Sequence, residues 1–531
     1  MSQVYGDIPS GANYNIPPSL PSGLLYRVKK ITNLSKQNLK IVPNNGQGDV
    51  YAGQKIIVTL PPNALVDLST FEMNFTGYTQ HNGTNGVNGP VGYCQSRFFP
   101  RNTASLIETL EIKINGQVRQ SISNYGYIYN ILSDFTTGTD CTNKNRLGQN
   151  ADPSCKYYYS GSGVRRRCGY PIGLIADPKS ANDQDYYTIR NWLGILGGNA
   201  STSIIDTSMY GDVTIEITLA PSGVLMLGAA TVNANLAAVA VGASEIGIAI
   251  AASVAAAAII PAEGTTYRLS NISFQITRYD LPKPVFDAMS AVLSSGAVYQ
   301  LWYPNYTSFS GTPVAGDKTG VTRISLTTSS LEMLIGTFMV QNRDTQSQPI
   351  QGDYNARLIS GQATGEYGGQ AATYRNAIQL GKPICFNQSK YFIRNGTTIR
   401  QCRWGIGSVN FNYENMTEQF NGVLRAFNNQ NDTLGGLHEG LTSLSSYQDT
   451  YYAHILSLNA NSENDIYTVS GLDASETPVQ VTWEYQGGDT TANATFADIY
   501  SAATNICTPV VIACYSSHLD VRAGRNITTM I

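Results

Sequence analysis

The stretch YRLSNISFQITRYDLPKPVFDAMSAVLSSG, residues 267–296, decides the fold because the period of its apolar side chains changes part-way along it. From 272 to 277 apolar and polar residues alternate, which is the pattern of a half-buried strand. Two prolines then end the extended run, and from Phe286 the apolar residues recur at helical spacing until Gly296. A new strand pattern, VYQLWY, begins at Val298. The stretch therefore predicts that one β domain closes here and that a short linker helix leads into a second.

Length and composition are typical of two large β domains. The chain has 531 residues, of which 42% are hydrophobic, enough for two cores at roughly 100 to 200 residues per domain. Only 13% of the residues are charged, whereas Gly, Asn, Ser, Thr and 33 Tyr are abundant, which favours strands and turns over helices. The net charge of -3 argues against a dedicated nucleic-acid-binding protein.

Neither a secretory signal nor a metal site is expected. Residues 1–20 have no basic start and no apolar segment, so we expect synthesis in the cytoplasm. The 8 cysteines include no CxxC pair, which indicates reduced thiols of a protein made in the cytosol. Cys141, Cys155 and Cys168 are widely spaced and have no histidine nearby, so they are a poor zinc site.

The amino-terminal region carries the longest basic stretch of the chain. Residues 1–24 are polar and contain several prolines, and we expect them to form an arm outside the core. The next segment, LYRVKKITNLSKQNLK, contains no acidic residue and has five basic ones: Arg27, Lys29, Lys30, Lys36 and Lys40. One interpretation is an edge strand that its lysines keep soluble. The other is a basic foot that faces lipid headgroups or nucleic acid.

The first half contains alternating strands, a hairpin turn and a helix. The inward positions of four strands are Ile56, Val58 and Leu60; Phe71, Met73 and Phe75; Leu110, Ile112 and Ile114; and Val213, Ile215, Ile217 and Leu219. Asn115-Gly116, directly after the third strand, is a strong hairpin signal. A short helix with one apolar face is predicted by the spacing of Tyr125, Ile128, Leu132 and Phe135.

Two segments of the first half do not follow the strand pattern. Residues 140–169 are predicted to form a long loop, in which Arg165, Arg166 and Arg167 contact another loop or subunit. Residues 222–263 are an Ala-rich insertion that is too short for a membrane span and lacks flanking basic residues. We expect a loop buried against another subunit, because so much exposed apolar surface would aggregate.

The second half repeats the order of elements in the first. A helix predicted from Met416 to Phe427 takes the relative place of the helix in the first half. VQVTWEY, residues 479–485, corresponds to DVTIEITL, and TPVVIACYSS, residues 508–517, corresponds to the strand of the opening stretch. The chain is therefore predicted to be a duplicated β-sandwich, from the order of its elements rather than from residue identity.

No catalytic constellation is recognisable. Glycine-rich nucleotide loops, GxSxG and HExxH are absent, and the 4 histidines are scattered. His454 lies on an alternating apolar run, and we expect a structural histidine whose hydrogen bonds are made. The acidic pair Asp473 and Glu476 lies in a polar turn, where such pairs are usually solvated. We therefore expect neither an enzyme nor a cofactor.

The order of several segments resembles that of one protein family. The segments are LPPNALVDLSTFEMNF, SLIETLEIKING, IIDTSMYGDVTIEITLAP and YRLSNISFQITRYDLPKPVFDAM, followed by SKYFIRNG, ENMTEQFNGVLRAF, VSGLDASETPVQVTWEY and VVIACYSSHLDVRAGRNI. From about residue 25 onwards the chain resembles the double jelly-roll major capsid proteins of tailless icosahedral double-stranded DNA viruses. Within this adenovirus-like lineage it is most similar to the virophage and Polinton-like type. The Ala-rich insertion departs from the family's pattern.

The resemblance implies an all-β fold of two tandem eight-stranded jelly rolls with short helices, assembled as a trimeric, pseudo-hexagonal capsomer. The expected divisions are an arm at 1–24, a first jelly roll at 25–282 with its insertion at 222–263, a linker helix at 283–297 and a second jelly roll at 298–531. Jelly rolls suit shells because two Greek-key sheets leave few free edges.

The implied function is self-assembly into an icosahedral virus shell, with no reaction and no small-molecule substrate. The expected partners are two further copies of the chain, neighbouring capsomers, and penton and minor capsid proteins, all located in the virion. The five basic residues would then lie at the inner base of the capsomer, against an inner membrane or the packaged genome. The alternative is a non-viral carbohydrate-binding or adhesin β-sandwich, in which exposed Tyr and Asn side chains would contact a glycan.

Overall fold

A computed structural model shows the fold of the chain, with strands on both sides of the linker. It describes residues 35–46, 48–81, 97–98, 100, 103–136, 157–159, 165–167, 183–197, 204–227, 265–280, 291, 294–314, 319–340, 343, 390–392, 394, 396, 399–414, 452–458, 471–474, 479–487 and 507–530.

The described residues before the linker form fourteen strands and two α-helices. The strands are β1 (Ser35–Ile41), β2 (Val50–Tyr51), β3 (Lys55–Thr59), β4 (Leu65–His81), β5 (Arg97–Phe98), β6 (Ile107–Ile114), β7 (Gln117–Ser123), β8 (Tyr157–Tyr159), β9 (Arg165–Arg167), β10 (Asp183–Ile189), β11 (Ile204–Asp206), β12 (Val213–Leu219), β13 (Met226–Leu227) and β14 (Thr265–Asp280). The helices are α1 (Tyr125–Thr136) and α2 (Thr207–Tyr210). Short 3-10 turns lie at Thr103–Leu106, Gly194–Gly197 and Ser222–Val224.

The described residues after the linker form nine further strands. They are β15 (Tyr299–Ser310), β16 (Gly320–Leu326), β17 (Leu331–Val340), β18 (Ile399–Ile406), β19 (Val409–Glu414), β20 (His454–Ser457), β21 (Val479–Gly487), β22 (Cys507–Arg522) and β23 (Asn526–Met530). Two 3-10 turns lie at Lys390–Phe392 and Ala523–Arg525.

The first half consists of two antiparallel sheets around one core. Its large sheet has the order β1-β14-β4-β10, with β2 paired to β14 and β11 paired to β4. Its small sheet has the order β3-β12-β6-β7. Alternate side chains of both sheets point into the core, which contains the inward positions predicted for all four strands. Two short ribbons, β5 with β13 and β8 with β9, accompany these sheets.

The second half has the same topology. Its large sheet has the order β15-β22-β17-β20, with β23 paired to β22, and its small sheet has the order β16-β21-β18-β19. Each strand therefore occupies the place of its counterpart in the first half. This arrangement of eight strands in two four-stranded sheets is the jelly roll, and it confirms the predicted duplication.

Local sequence signals explain two of the chain reversals. Asn115 and Gly116 have φ values of 52° and 75°, the left-handed conformation that a tight hairpin between β6 and β7 requires. At the end of the linker, the Ser295 amide donates to the Ala291 carbonyl at 3.0 Å. Gly296 follows with a φ of 96°, which ends the helical turn as its position in the sequence predicts.

Helix α1 forms where it was predicted, and it is buried on more sides than its predicted apolar face. Tyr127 and Ile131 are as deeply buried as Tyr125 and Ile128, and even Asn130 is fully buried. The physical reason is the position of the helix, which packs on β6 of the first half and against the 390–392 turn of the second. A helix enclosed on several sides is buried nearly all round.

The arginine run was predicted to lie in a loop, and this was wrong. Arg165–Arg167 forms strand β9, which pairs antiparallel with the three tyrosines of β8. β-Strands favour tyrosine, so the short ribbon agrees with the local propensity of that segment.

Several predictions fall outside the described residues. They concern the arm at 1–24, most of the insertion at 222–263, the linker at 283–290, the helix at 416–427, Glu476, and the three cysteines at 141, 155 and 168. The domain boundaries therefore stay a prediction.

Candidate functional surfaces

The large sheet of the second half is apolar on both faces. Along β22, Val511 and Ala513 point into the core of the second jelly roll. Val510, Ile512 and Cys514 point the other way, into a core that they share with residues of the first half. The run of apolar residues in VVIAC has no alternation because neither face of this strand meets solvent.

One row of side chains crosses the face that meets the first half. Ile512 of β22 lies opposite Ile335 of β17, which lies opposite Ile455 of β20. All three are almost completely buried and belong to the core that continues into the first half. The two jelly rolls are therefore joined by an apolar interface within the chain.

Polar contacts also join β7 and the residue after it, Asn124, to β15. The Gln120 amide nitrogen donates to the Pro304 carbonyl at 3.2 Å and to Asn305 Oδ1 at 3.3 Å. The Gln120 amide oxygen accepts from the backbone amide of Ile195 at 2.9 Å. Further along, Asn124 donates to the hydroxyl of Ser308 at 2.9 Å. Because these groups are buried or half-buried, their hydrogen bonds fix the position of one jelly roll against the other.

Arg343 joins the two halves through several groups at once. Its guanidinium donates to Asn124 Oδ1 at 2.6 Å and lies 3.6 Å from a carboxylate oxygen of Glu108. The guanidinium carbon also lies 4.0 Å from the centre of the Tyr391 ring, and the Tyr391 hydroxyl donates to Glu108. Burial raises the pKa of the neighbouring Tyr127 to about 12, although the charges of Arg394 and Arg343 oppose this rise. This cluster forms an arginine clasp (Arg343, Tyr391, Glu108, Asn124) between the jelly rolls.

An aromatic cluster fills the second core. Trp404 stacks on Trp483 with ring centres 5.8 Å apart, and His454 stacks on Trp404 at 5.6 Å. Gly336 lies against Trp483 so closely that a β-carbon would come within 2.4 Å of the indole. The glycine is therefore required to admit the tryptophan.

His454 is a structural histidine, and only part of its expected hydrogen bonding is present. The Trp483 indole N–H donates to its Nδ1 at 3.1 Å. Its Nε2 has no hydrogen-bond partner among the described residues. Burial lowers the pKa of this imidazole to about 3, so it is neutral at physiological pH.

Lys36 and Lys40 lie on the outer face of the first large sheet. In the edge strand β1 they are opposite Tyr279 and Gln275 of β14, and both are exposed. Arg27, Lys29 and Lys30 lie outside the described residues, so the structure describes two of the five predicted basic residues. Their assignment to an inner face stays a prediction.

The outer face of the first small sheet carries a charged cluster that the sequence did not reveal. Lys55 and Lys113 each donate to the carboxylate of Glu216 at 2.6 Å. These hydrogen bonds, from Lys113 first and then from Lys55, lower the pKa of the Glu216 carboxyl. In the second half, Arg403 of β18 pairs with Glu484 of β21 on the corresponding sheet. Ion pairs between neighbouring strands are common on a polar sheet face, where they stabilise the sheet.

Other kinds of site are not seen in the described part of the chain. These residues include no cluster of metal-ligating side chains. No helix among them is long and apolar enough to cross a membrane. Cys402, Cys507 and Cys514 are buried free thiols. Asp473, half of the acidic pair that was singled out in the sequence, is exposed.

Solved structures show which proteins share this architecture. The chain is similar to a chain of the PBCV-1 virus capsid, with a TM-score of 0.52 and 10% identity. The similarity covers 96% of this chain and 100% of the PBCV-1 chain. The chain has the double jelly-roll fold. The same fold is found in the Sputnik virophage particle, with a TM-score of 0.52, 9% identity and coverage of 100% and 94% of the two chains. The Faustovirus major capsid protein shares it with a TM-score of 0.51, 11% identity and coverage of 95% and 93%.

At sequence level no family model and no curated protein matches the chain. The double jelly-roll fold expected from the order of segments is thus confirmed by structure rather than by residue identity. The clasp and the apolar interface were not foreseen. The only sequence signal for the interface was the unbroken apolar run in β22.

Proposed function

We propose that this chain is a major capsid protein that assembles as pseudo-hexagonal trimers into an icosahedral virus shell. The observation that carries the proposal is the extent of the likeness, since both jelly rolls are matched over almost the whole of each chain. A fold alone does not imply a function, but each of the three similar structures comes from a virus, and two are described as a capsid or its major protein.

The mechanism is assembly rather than catalysis. The apolar interface and the arginine clasp hold two jelly rolls in one fixed orientation, which makes the chain a rigid building block. Three such chains supply six similar walls, and a block with six walls can tile a surface. The partners would be two further copies, neighbouring capsomers, and penton and minor capsid proteins. The protein would be synthesised in the host cytoplasm and located in the virion.

The proposed function places the basic residues at the inner base of the capsomer. Five basic residues that follow the amino-terminal arm would face anionic lipid or the packaged genome: Arg27, Lys29, Lys30, Lys36 and Lys40. Charges act over only about 8 Å at physiological ionic strength, so these residues must lie close to their partner to contribute.

Electron microscopy of the purified protein tests the proposed function. We expect uniform blocks with a six-sided outline built from three chains. A field of single two-lobed particles that bind immobilised glycans would instead support the non-viral carbohydrate-binding alternative.

A further inference from the structure

The ribbon of β8 and β9 is an addition to the first jelly roll. Its two strands, Tyr157–Tyr159 and Arg165–Arg167, pair with each other in a sheet of their own. Five residues, SGSGV, connect them. All eight strands of the first jelly roll belong to its two four-stranded sheets, so the sandwich is complete without the ribbon. A segment that the fold does not require is free to serve another purpose.

The register of the ribbon groups arginine and tyrosine on one face. Tyr157 lies opposite Arg167, and Tyr159 lies opposite Arg165. Residues directly opposite each other in antiparallel strands share a face, and successive residues alternate between the two faces. One face therefore carries two arginine and two tyrosine positions, and the two arginine positions are about 7 Å apart along the strand.

The positive charge of the ribbon has no acidic counterpart close to it in the sequence. No Asp or Glu occurs between Asp152 and Asp177, and the three arginines are consecutive. Like charges so close together repel one another. A two-stranded ribbon is also only marginally stable by itself. A bound anion would neutralise the arginines, so a negatively charged ligand would stabilise the ribbon.

The choice of arginine rather than lysine indicates which anions fit. The guanidinium is a planar fork that makes two parallel hydrogen bonds to a carboxylate or phosphate group. Two such groups at alternate positions match charges that repeat along a polymer. Tyrosine adds rigid, amphipathic contact area, which suits the rings of such a polymer. These residue types fit either an acidic polysaccharide or a single-stranded nucleic acid.

The topology of the large sheet distinguishes these two polymers. β10, the strand that follows the ribbon, begins at Asp183 opposite Thr79, close to the end of β4. β1 begins at Ser35, beside the end of β14 that pairs with the first residue of β4, Leu65. The two strands therefore begin at opposite ends of the sheet. If the basic residues at the start of β1 face the inside of the shell, the chain enters β10 from the outward end, away from a packaged genome.

We propose that the face of the ribbon with Tyr157, Tyr159, Arg165 and Arg167 binds an acidic polysaccharide, a polymer of sugars with carboxylate or sulfate groups. The proposal rests on the proposed shell function, which gives the sheet an outward end. The two arginines hold anionic groups of the polymer, and the two tyrosines contact its sugar rings. The shell would thereby attach to cell-surface glycans. Because the attraction is electrostatic, binding should weaken as salt is added.

Surface plasmon resonance with four immobilised polymers tests the ligand class on the purified wild-type assembly. The polymers are heparin, which is sulfated, hyaluronan, which carries carboxylates alone, uncharged dextran, and single-stranded oligothymidylate. We expect binding to heparin or hyaluronan and none to dextran, and the preferred acidic polymer identifies the anionic group. Tighter binding to oligothymidylate than to both acidic polysaccharides overturns the proposal, since the ribbon would then serve a nucleic acid.

Paired substitutions test the residues. Arg165→Gln with Arg167→Gln should weaken binding to the preferred acidic polysaccharide by about tenfold or more, with an unchanged trimer mass. Arg323→Gln with Arg522→Gln is the matched control, because it removes the same charge at exposed positions outside the ribbon and should bind like the wild type. Arg165→Lys with Arg167→Lys keeps the charge but loses the planar fork, so its binding should also weaken.

Hydrogen exchange gives an independent readout on the unaltered protein. Amides of β8 and β9 should exchange more slowly when the preferred acidic polysaccharide is present. Unchanged exchange there, equal binding by the Gln variant and its control, or full binding by the Lys variant overturns the proposal and leaves the shell function intact. A Gln variant that no longer forms trimers also overturns it, since the ribbon would then join subunits. A wild type that stays a single chain at every concentration contradicts the shell function itself.

Discussion

The ring of Tyr391 lies 4.0 Å from the guanidinium carbon of Arg343, and the Tyr391 hydroxyl donates to Glu108 of the other jelly roll. Arg343 itself follows β17 and reaches Asn124 in the first half at 2.6 Å. The guanidinium of Arg343 therefore contacts side chains of both jelly rolls. Its side chain is only 12% exposed, so these contacts are made with little competition from water.

Removing the cation of the clasp should weaken the whole chain. Arg343→Gln loses the stacking on Tyr391 and leaves Glu108 half-buried without its guanidinium, so we expect a loss of about 2 kcal/mol in the free energy of unfolding. Urea denaturation measures it. The control is Arg522→Gln, whose guanidinium is 56% exposed and 3.8 Å from Asp520, and it should change little. Equal effects of the two substitutions would show that the clasp has no special role.

Gly336→Ala should destabilise the second jelly roll by overpacking. The added β-carbon would lie 2.4 Å from the Trp483 indole, which is fully buried and cannot move freely. We expect a loss of about 1 to 3 kcal/mol, measured by urea denaturation. Gly405→Ala is the matched control, because the nearest atom to its β-carbon would be 3.5 Å away. A Gly336→Ala protein as stable as the control would show that the cluster adapts without cost.

The two jelly rolls should unfold together because they share one apolar core. Ile512→Thr removes apolar surface and places a hydroxyl in this core, so a loss of about 2 kcal/mol is expected. The loss should shift a single transition, followed by tryptophan fluorescence and by far-ultraviolet circular dichroism. Val321→Thr is the control, since Val321 is 48% exposed. Two separate transitions in the wild type would contradict a shared core.

Stability should fall between pH 7 and pH 5 because of His454. Burial lowers the pKa of this imidazole to about 3, whereas its ordinary value in an unfolded chain is near 6.5. Between these values the unfolded chain binds a proton that the folded chain does not, so stability is complete above pH 6.5 and decreases as the pH falls towards 3. At pH 5 the free energy of unfolding lost in this way amounts to about 2 kcal/mol. The urea midpoints of the wild type and of His454→Gln should converge as the pH falls. If the two midpoints instead change in parallel with pH, His454 is not the cause of the loss of stability.

Period-two patterns made much of the fold predictable from the sequence. The strands around Ile112, Ile215 and Phe274 were recognisable because alternate side chains enter a core, and Asn115-Gly116 identified the hairpin. The duplication was visible in the order of elements. These are local signals, which a single sequence carries directly.

The interfaces were not predictable in the same way. The unbroken apolar run of β22 indicates burial on both faces, but it does not say what covers the second face. The arginine clasp joins residues far apart in the chain, and nothing near Arg343 points to Glu108. Lys36 and Lys40 were grouped with Arg27 by sequence proximity, whereas their place on the outer sheet face depends on the register of β1 with β14.

The mass of the purified, unaltered protein by native mass spectrometry tests the shell function most directly. A subunit of pseudo-hexagonal capsomers should appear as a complex of three chains, each of 57.4 kDa. A stable single chain at all protein concentrations and at low salt would contradict the proposal that this double jelly roll builds a shell.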